Sequence, residues 1–143
     1  MEGISMTETE QKQAFYNAII ERVNNSQRFA GRSGIKILEL KEGYAKGEMP
    51  NIPDTQNTLG GIHGGAIATL LDTVSGAATA SLGGLRVTVH CTIEFLRTAA
   101  PGSVTCEAKV RKAGKAIVVC EGTITDSKGH EVAIGTFSFY NKV

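Results

Sequence analysis

The stretch that most constrains this chain runs from Asn57 to Leu82, NTLGGIHGGAIATLLDTVSGAATASL. A glycine-rich loop passes through His63-Gly64-Gly65 and enters a long run with helical spacing. Ile67, Leu70, Leu71, Val74 and Ala78 recur at intervals of three and four, which places them on one face of a helix. Most of the other positions are Gly, Ala, Ser or Thr, so backbone from elsewhere can approach closely on every side. A helix of this kind asks to be wrapped. Asp72 breaks the pattern, because a carboxylate in mid-helix in an uncharged run is costly to ionise unless something stabilises the charge.

His63 and Asp72 are nine residues apart. On one helix that separation is about 13 Å along the axis and about half a turn around it. No single reacting carbon touches both from one copy. Two copies packed antiparallel about a twofold axis bring the His63 end of one near Asp72 of the other. This arithmetic predicts a composite site and an obligate dimer.

The flanking sequence predicts what does the wrapping. Thr7-Glu8-Thr9-Glu10 reads as a capping box, and Phe15, Ile19 and Val23 repeat every four residues, giving a helix over about 8–24. Residues 35–41 and 43–49 read as two strands turned at Glu42-Gly43, and 50–61 as a loop. After Gly83-Gly84 the period becomes two. Val87, Val89, Cys91, Ile93 and Phe95 alternate with Thr88, His90, Thr92 and Glu94. Further strands follow, turned at Pro101-Gly102, Ala113-Gly114 and Asp126-Ser127-Lys128-Gly129. The expected class is α+β, an antiparallel sheet wrapped around one long central helix, with an N-terminal helix beside it.

A chain of 143 residues is expected to form one domain over 1–143, with 1–8 flexible. Lysine and arginine number 15 against 14 acidic residues, without a basic patch, and Trp is absent, which argues against nucleic acid as a partner. Asp72 and the wealth of Gly and Thr make the central run too polar to span a membrane. No cationic segment leads into an apolar one near Met1, so no secretory leader is expected and the expected location is cytoplasmic. Cys91, Cys106 and Cys120 sit singly in apolar strand-like segments, and are expected to be reduced and buried. With three scattered His and no ligand spacing, no metal site is expected.

With these elements in order, the chain resembles the hotdog fold, and more closely the PaaI-type acyl-CoA thioesterases. The residues that carry the resemblance are Asn57-x5-His63-Gly64-Gly65, Asp72 nine positions after the histidine, and the following Gly76. VTVHCTIEFLRTAAPG and VRKAGKAIVVCEGTITDSKG match the family's later strands, over roughly residues 30–142 in all. Thr98 stands where the family commonly has Pro.

The resemblance implies hydrolysis of an acyl-CoA thioester, with coenzyme A as part of the substrate and no separate cofactor. It further implies a homodimer with shared sites, associating as a dimer of dimers. Asp72 would be nucleophile or general base on the thioester carbonyl; otherwise it is a helix carboxylate satisfied by nearby Thr and Ser. The Gly64 N–H, unpartnered within the helix, suits a developing oxyanion. Gly64 and Gly65 either merely permit close packing at the helix start or also keep it clear of side chains that would obstruct substrate, and the small Gly76 suggests room for an acyl group. His63 either orients the loop or polarises the thioester. Asn57 either forms a turn or positions the nucleophile or its water. Thr88 is either a plain strand residue or the hydroxyl that holds the lytic water. Arg111, Lys112 and Lys115 surround a hairpin turn and are either a solvated cluster or a seat for the coenzyme A phosphates.

Two other readings remain at this point. A hotdog hydratase places its Asp and His only a few residues apart in one segment, unlike the nine-residue spacing here. A non-catalytic acyl-CoA sensor would need none of the chemistry, only the binding.

Overall fold

The computed structural model describes residues 3–142. Of the N-terminal stretch expected to be flexible, residues 1 and 2 lie outside the described residues, and 3–7 form an exposed lead-in without helix or strand. Helix α1 spans Glu8–Val23 and opens on the capping box read from the sequence. Thr7 Oγ1 accepts the Glu10 N–H at 3.1 Å, and the Glu10 carboxylate accepts the Thr7 N–H at 2.9 Å. The buried stripe of α1 is Tyr16 and Ile19 rather than Phe15, which is 40% exposed. A four-residue helix α2, Phe29–Arg32, and a 3₁₀ turn, Pro53–Thr55, occupy stretches that carry no periodic signal.

The strands are β1 (Lys36–Lys41), β2 (Tyr44–Met49), β3 (Leu85–Phe95), β4 (Val104–Ala113), β5 (Ile117–Thr125) and β6 (Glu131–Lys142). They form one antiparallel sheet in the order β1-β2-β4-β5-β6-β3. Helix α3, Gly64–Ala80, lies against its concave face, and this is the hotdog arrangement. Ile67, Leu70, Leu71, Val74, Ala77 and Ala78 of α3 meet Met49, Val104, Cys106, Val118, Ile124 and Phe137 from the sheet in one buried core. Full burial of each large aliphatic side chain here contributes about 2 kcal/mol.

The helix seats closely because glycines lie under it. A Cβ at Gly47 of β2 would stand 2.7 Å from Val74 Cγ2, and one at Gly122 of β5 would stand 2.9 Å from Leu71 Cδ2. Gly135 of β6, paired directly with Gly122, admits the other Leu71 methyl in the same way. The space that side chains would fill on three strands is occupied by the helix.

Strand β3 departs from the simple alternation. A bulge between Thr88 and His90 leaves Val89 without a register partner, so the two halves of the strand are out of phase. Thr88 pairs with the buried Phe139, and Cys91 with the buried Phe137, which puts Thr88 on the α3 side and turns Val87, opposite Tyr140, to the outer side. As an edge strand β3 is covered poorly: Val87, Val89 and Phe95 are 42%, 56% and 57% exposed. Cys91 is exposed with them, against expectation. Cys106 and Cys120 are buried as expected, and burial pushes the Cys120 thiol up to about 11.

Candidate functional site

The helix start is held by side chains spent on backbone. His63 is the N-cap of α3, and its Nδ1 accepts the Gly65 N–H at 2.7 Å, which assigns the ring proton to Nε2. Asn57 Oδ1 accepts the N–H groups of Leu59 and Gly61 at 2.9 and 3.1 Å, while the Asn57 N–H donates to Gly61 O at 2.8 Å. These bonds close the 57–61 loop on itself. The Gly64 N–H has no hydrogen-bond acceptor among the described residues. It lies at the positive end of α3 and opens on a groove of about 400 Å³ lined by Asn57, Gly64, Ile67, Phe95, Thr98 and Ala99. Of the sequence candidates, Asn57 and Gly64 are thus brought together, with His63 and Gly65 adjoining.

Asp72 sits elsewhere. It is half-buried on the flank of α3, and Thr88 Oγ1 donates to its Oδ1 at 2.7 Å. The β3 bulge makes this contact possible by turning Thr88 towards the helix. The second carboxylate oxygen has no hydrogen-bond donor among the described residues. The pair lies in a groove of about 390 Å³ with Gly76, Ala77, Val87 and Phe139, walled on one side by Ile19 and Val23 of α1. A Cβ at Gly76 would meet only Phe139 Cε1, at 3.9 Å, so the groove is open there. Within one chain, then, Gly64 and Asp72 serve different grooves.

Arg86 was not singled out from the sequence. It borders the Asp72 groove, and its Nη1 donates to the carbonyls of Thr79 and Gly83 at 2.8 and 2.6 Å, closing the end of α3. Its position just past Gly83-Gly84 was the available signal. The wall residues Ile19 and Phe95 likewise gave only core or strand signals.

The basic cluster divides. Arg111 is ion-paired with Glu121 at 3.5 Å, with both side chains more than half exposed. Lys112 and Lys115 have no carboxylate within salt-bridge distance among the described residues. The turn between β4 and β5 is tied down by Asn141, whose Nδ2 donates to Gly114 O and Lys115 O at 3.2 and 2.7 Å. A further groove, on the outer face of the sheet beside Thr92, Glu94 and Glu121, holds no candidate residue. Among the described residues no three His, Cys, Asp or Glu gather as metal ligands would, and no helix is long and apolar enough to cross a membrane.

Residues 59–133 match the sequence profile of the thioesterase superfamily. This chain belongs to the thioesterase superfamily. It is a thioester hydrolase of PaaI-like type with the hotdog fold. The acyl-coenzyme A thioesterase PaaI of Escherichia coli is 34% identical over 102 residues, covering 71% of this chain and 73% of that one. The solved structure of the E. coli PaaI protein superposes on this thioesterase with a TM-score of 0.83 at 28% identity, covering 96% of this chain and 97% of that one. A thioesterase protein of Streptococcus pneumoniae, solved with coenzyme A, matches at 26% identity and a TM-score of 0.72, over 76% of this chain and 88% of its own. The Streptococcus pneumoniae protein has also been solved with alanine in place of an aspartate and, separately, of a threonine sixteen positions further on.

Proposed function

We propose that this thioesterase hydrolyses an acyl- or aryl-acyl-coenzyme A thioester to the carboxylic acid and free coenzyme A. Each site combines the Asn57–Gly64 groove of one subunit with the Asp72–Thr88 groove of another. The observation that carries this reading is the Thr88–Asp72 hydrogen bond at 2.7 Å across sixteen residues. The bond orients the carboxylate by one oxygen and leaves the other to the substrate. An aspartate and a threonine at the same sixteen-residue spacing are the residues replaced in the Streptococcus pneumoniae variants, which supports this reading.

In the proposed reaction the Gly64 N–H donates to the thioester carbonyl oxygen and stabilises the negative charge that grows there. The free oxygen of Asp72 attacks the carbonyl carbon, or takes a proton from the water that does. The C–S bond breaks, coenzyme A leaves as the thiolate and is protonated, and water supplies the hydroxyl of the acid. These groups meet the chemical demands of the step, and the reading calls for no cofactor or metal.

The acyl group is assigned to the apolar room beside Gly76, Val87 and Phe139, which adjoins the carboxylate. Lys112 and Lys115 are assigned to the nucleotide phosphates. The edge strand β3, with exposed Val87, Val89 and Phe95, supports pairing with a second copy, and a dimer of dimers then extends the assembly. A cytoplasmic location belongs to this reading as well.

Release of free thiol from a panel of coenzyme A thioesters, acetyl to decanoyl and phenylacetyl, tests the activity and ranks the acyl groups. Asp72→Asn is expected to lower kcat by at least ~100-fold on the best of them with the fold intact. A folded variant within a few-fold of wild type removes Asp72 from the chemistry. A wild-type protein that binds these thioesters without turnover is the sensor of the alternative reading.

A further inference from the structure

Asp126 belongs to neither groove, yet it is the most heavily engaged carboxylate in the chain among the described residues. It is 7% exposed, and it ties together three segments. Its Oδ1 accepts the N–H groups of Lys128 and His130, both at 3.0 Å, which closes the β5–β6 turn. Its Oδ2 reaches across to the N–H of Ala100 at 3.0 Å, twenty-six residues away in sequence. His130 Nδ1 stands 3.8 Å from the same oxygen. Next to it, Ser127 Oγ donates to Pro101 O at 2.8 Å. Local turn formation needs only the first two bonds. The bonds to Ala100 and Pro101 do something else: they fasten the segment that follows β3.

That segment is a wall of the groove onto which the Gly64 N–H opens. Leu96, Arg97, Thr98 and Ala99 line it, and a Cβ on Gly61 would stand 3.6 Å from Thr98 Cγ2, so Thr98 packs over the glycine loop. The wall is secured at its start by the Leu96 N–H, which donates to Val132 O at 2.8 Å. At its end, Asp126 and Ser127 hold Ala100 and Pro101. Between these two anchors Arg97, Thr98 and Ala99 carry no side-chain hydrogen bond of their own among the described residues.

We propose that Asp126 is a positioning residue for the thioester groove: by fastening Ala100, it sets how the Thr98–Ala99 wall closes over the Gly64 N–H. The bond from Ala100 is also the largest influence holding the Asp126 carboxyl below the ordinary carboxylate range, so the anion that makes the clamp persists wherever the protein is folded near neutrality. The proposal rests on the reading of Gly64 as the carbonyl-binding group. A wall that contacts the substrate before and during reaction alike affects binding more than turnover.

The variant Asp126→Asn keeps the side chain's shape, and its amide can accept at one atom but sets an N–H₂ against a backbone N–H at the other. At a temperature well below its melting point, we expect KM for phenylacetyl- and hexanoyl-coenzyme A to rise about tenfold with kcat changed less than about threefold. The Ala100 amide should exchange with deuterium faster by a similar factor. A residue that only stabilises the fold would lower the melting temperature and leave KM of the folded protein unchanged. Should Asp126→Asn fail to fold, Ser127→Ala removes only the bond to Pro101 O at an exposed position, and is expected to raise KM about twofold. Unaltered KM in whichever variant is folded overturns the proposal. If wild type turns over thioesters and Asp72→Asn does not, that result leaves the proposed function standing. A wild type without thioesterase activity overturns both.

Discussion

The two grooves flanking α3 offer opposite chemistry. The groove at the helix start presents a main-chain donor, Gly64 N–H; Asn57 in its lining spends its Oδ1 on backbone, as the adjoining His63 spends its Nδ1. It has nothing to act as a base. The groove along the helix presents a carboxylate steadied by a hydroxyl, and the helix N–H groups nearby are used up in the helix itself. Among the described residues, it has no free helix N–H for a developing oxyanion. Thioester hydrolysis needs both a donor and a base at one carbon. Each chain therefore holds two unlike halves, about 12 Å apart along α3 by helix geometry, and the proposed dimer joins each half to its complement.

Subunit mixing breaks or confirms that comparison most directly. An inactive variant of the first groove, the weaker of His63→Ala and Asn57→Ala, is mixed with inactive Asp72→Ala after reversible dissociation. In a mixed dimer one site carries both defects and the other carries neither. Random pairing is expected to restore about a quarter of wild-type activity, because half the dimers are mixed and each has one sound site. Exchanged subunits with no recovery sink the shared site.

Thr88→Val sharpens the second half. It keeps the strand residue's shape and removes the hydroxyl, and an expected fall of about tenfold in kcat matches the loss of a charge-assisted hydrogen bond. Single-turnover rates equal to wild type would make the Thr88 bond a packing detail.

The double variant Lys112→Ala, Lys115→Ala probes what lies beyond both halves. It should raise KM for coenzyme A thioesters several-fold, about 1 kcal/mol of lost phosphate contact, and spare thioesters that lack the nucleotide. An equal change for both substrate types returns the lysines to the solvated surface.

The smallest effect is expected in acid, and it concerns Asp126, which fastens the wall of the first groove. The Asp126 carboxyl is held below its ordinary range, first by the Ala100 N–H, so its contribution to stability is present above about pH 4 and is lost as pH falls through the lowered folded value. Urea unfolding of wild type and Asp126→Asn should therefore differ at pH 7, and the difference should shrink as the pH falls through the lowered folded value. A difference that persists undiminished at the acid end would show that the charge is irrelevant.

Much of this was legible before the structure. The spacing of Ile67, Leu70, Leu71, Val74 and Ala78 gave α3, and all five are buried. Turn residues gave the hairpins, because Gly43, Gly102 and Gly129 adopt the positive φ that favours glycine. The Thr88–Asp72 contact was beyond periodicity. Strict alternation puts Thr88 on the face opposite Cys91, and only the bulge at Val89 brings both to the α3 side. Cys91 was misread for a related reason, since alternation reports which side of a sheet a residue takes and not whether anything covers that side. Asp126 was read as a turn residue, which it is; its reach to Ala100 depends on which loops the sheet order brings side by side.

The glycines under α3 have a consequence for how such a protein can diversify. At Gly47 and Gly122 the helix rests nearly on main chain, so its height above the sheet does not depend on which side chains fill the neighbouring core. Gly64 and Asp72 ride on that helix and inherit a fixed address. The room around Gly76, by contrast, is bounded by Ile19, Val23 and Phe139, none of which is among the nearest neighbours of Gly47 or Gly122, where the helix is seated. Under the proposed assignment, reactivity and selectivity are inherited separately, and a lineage can try new acyl groups while the reacting atoms stay where they are.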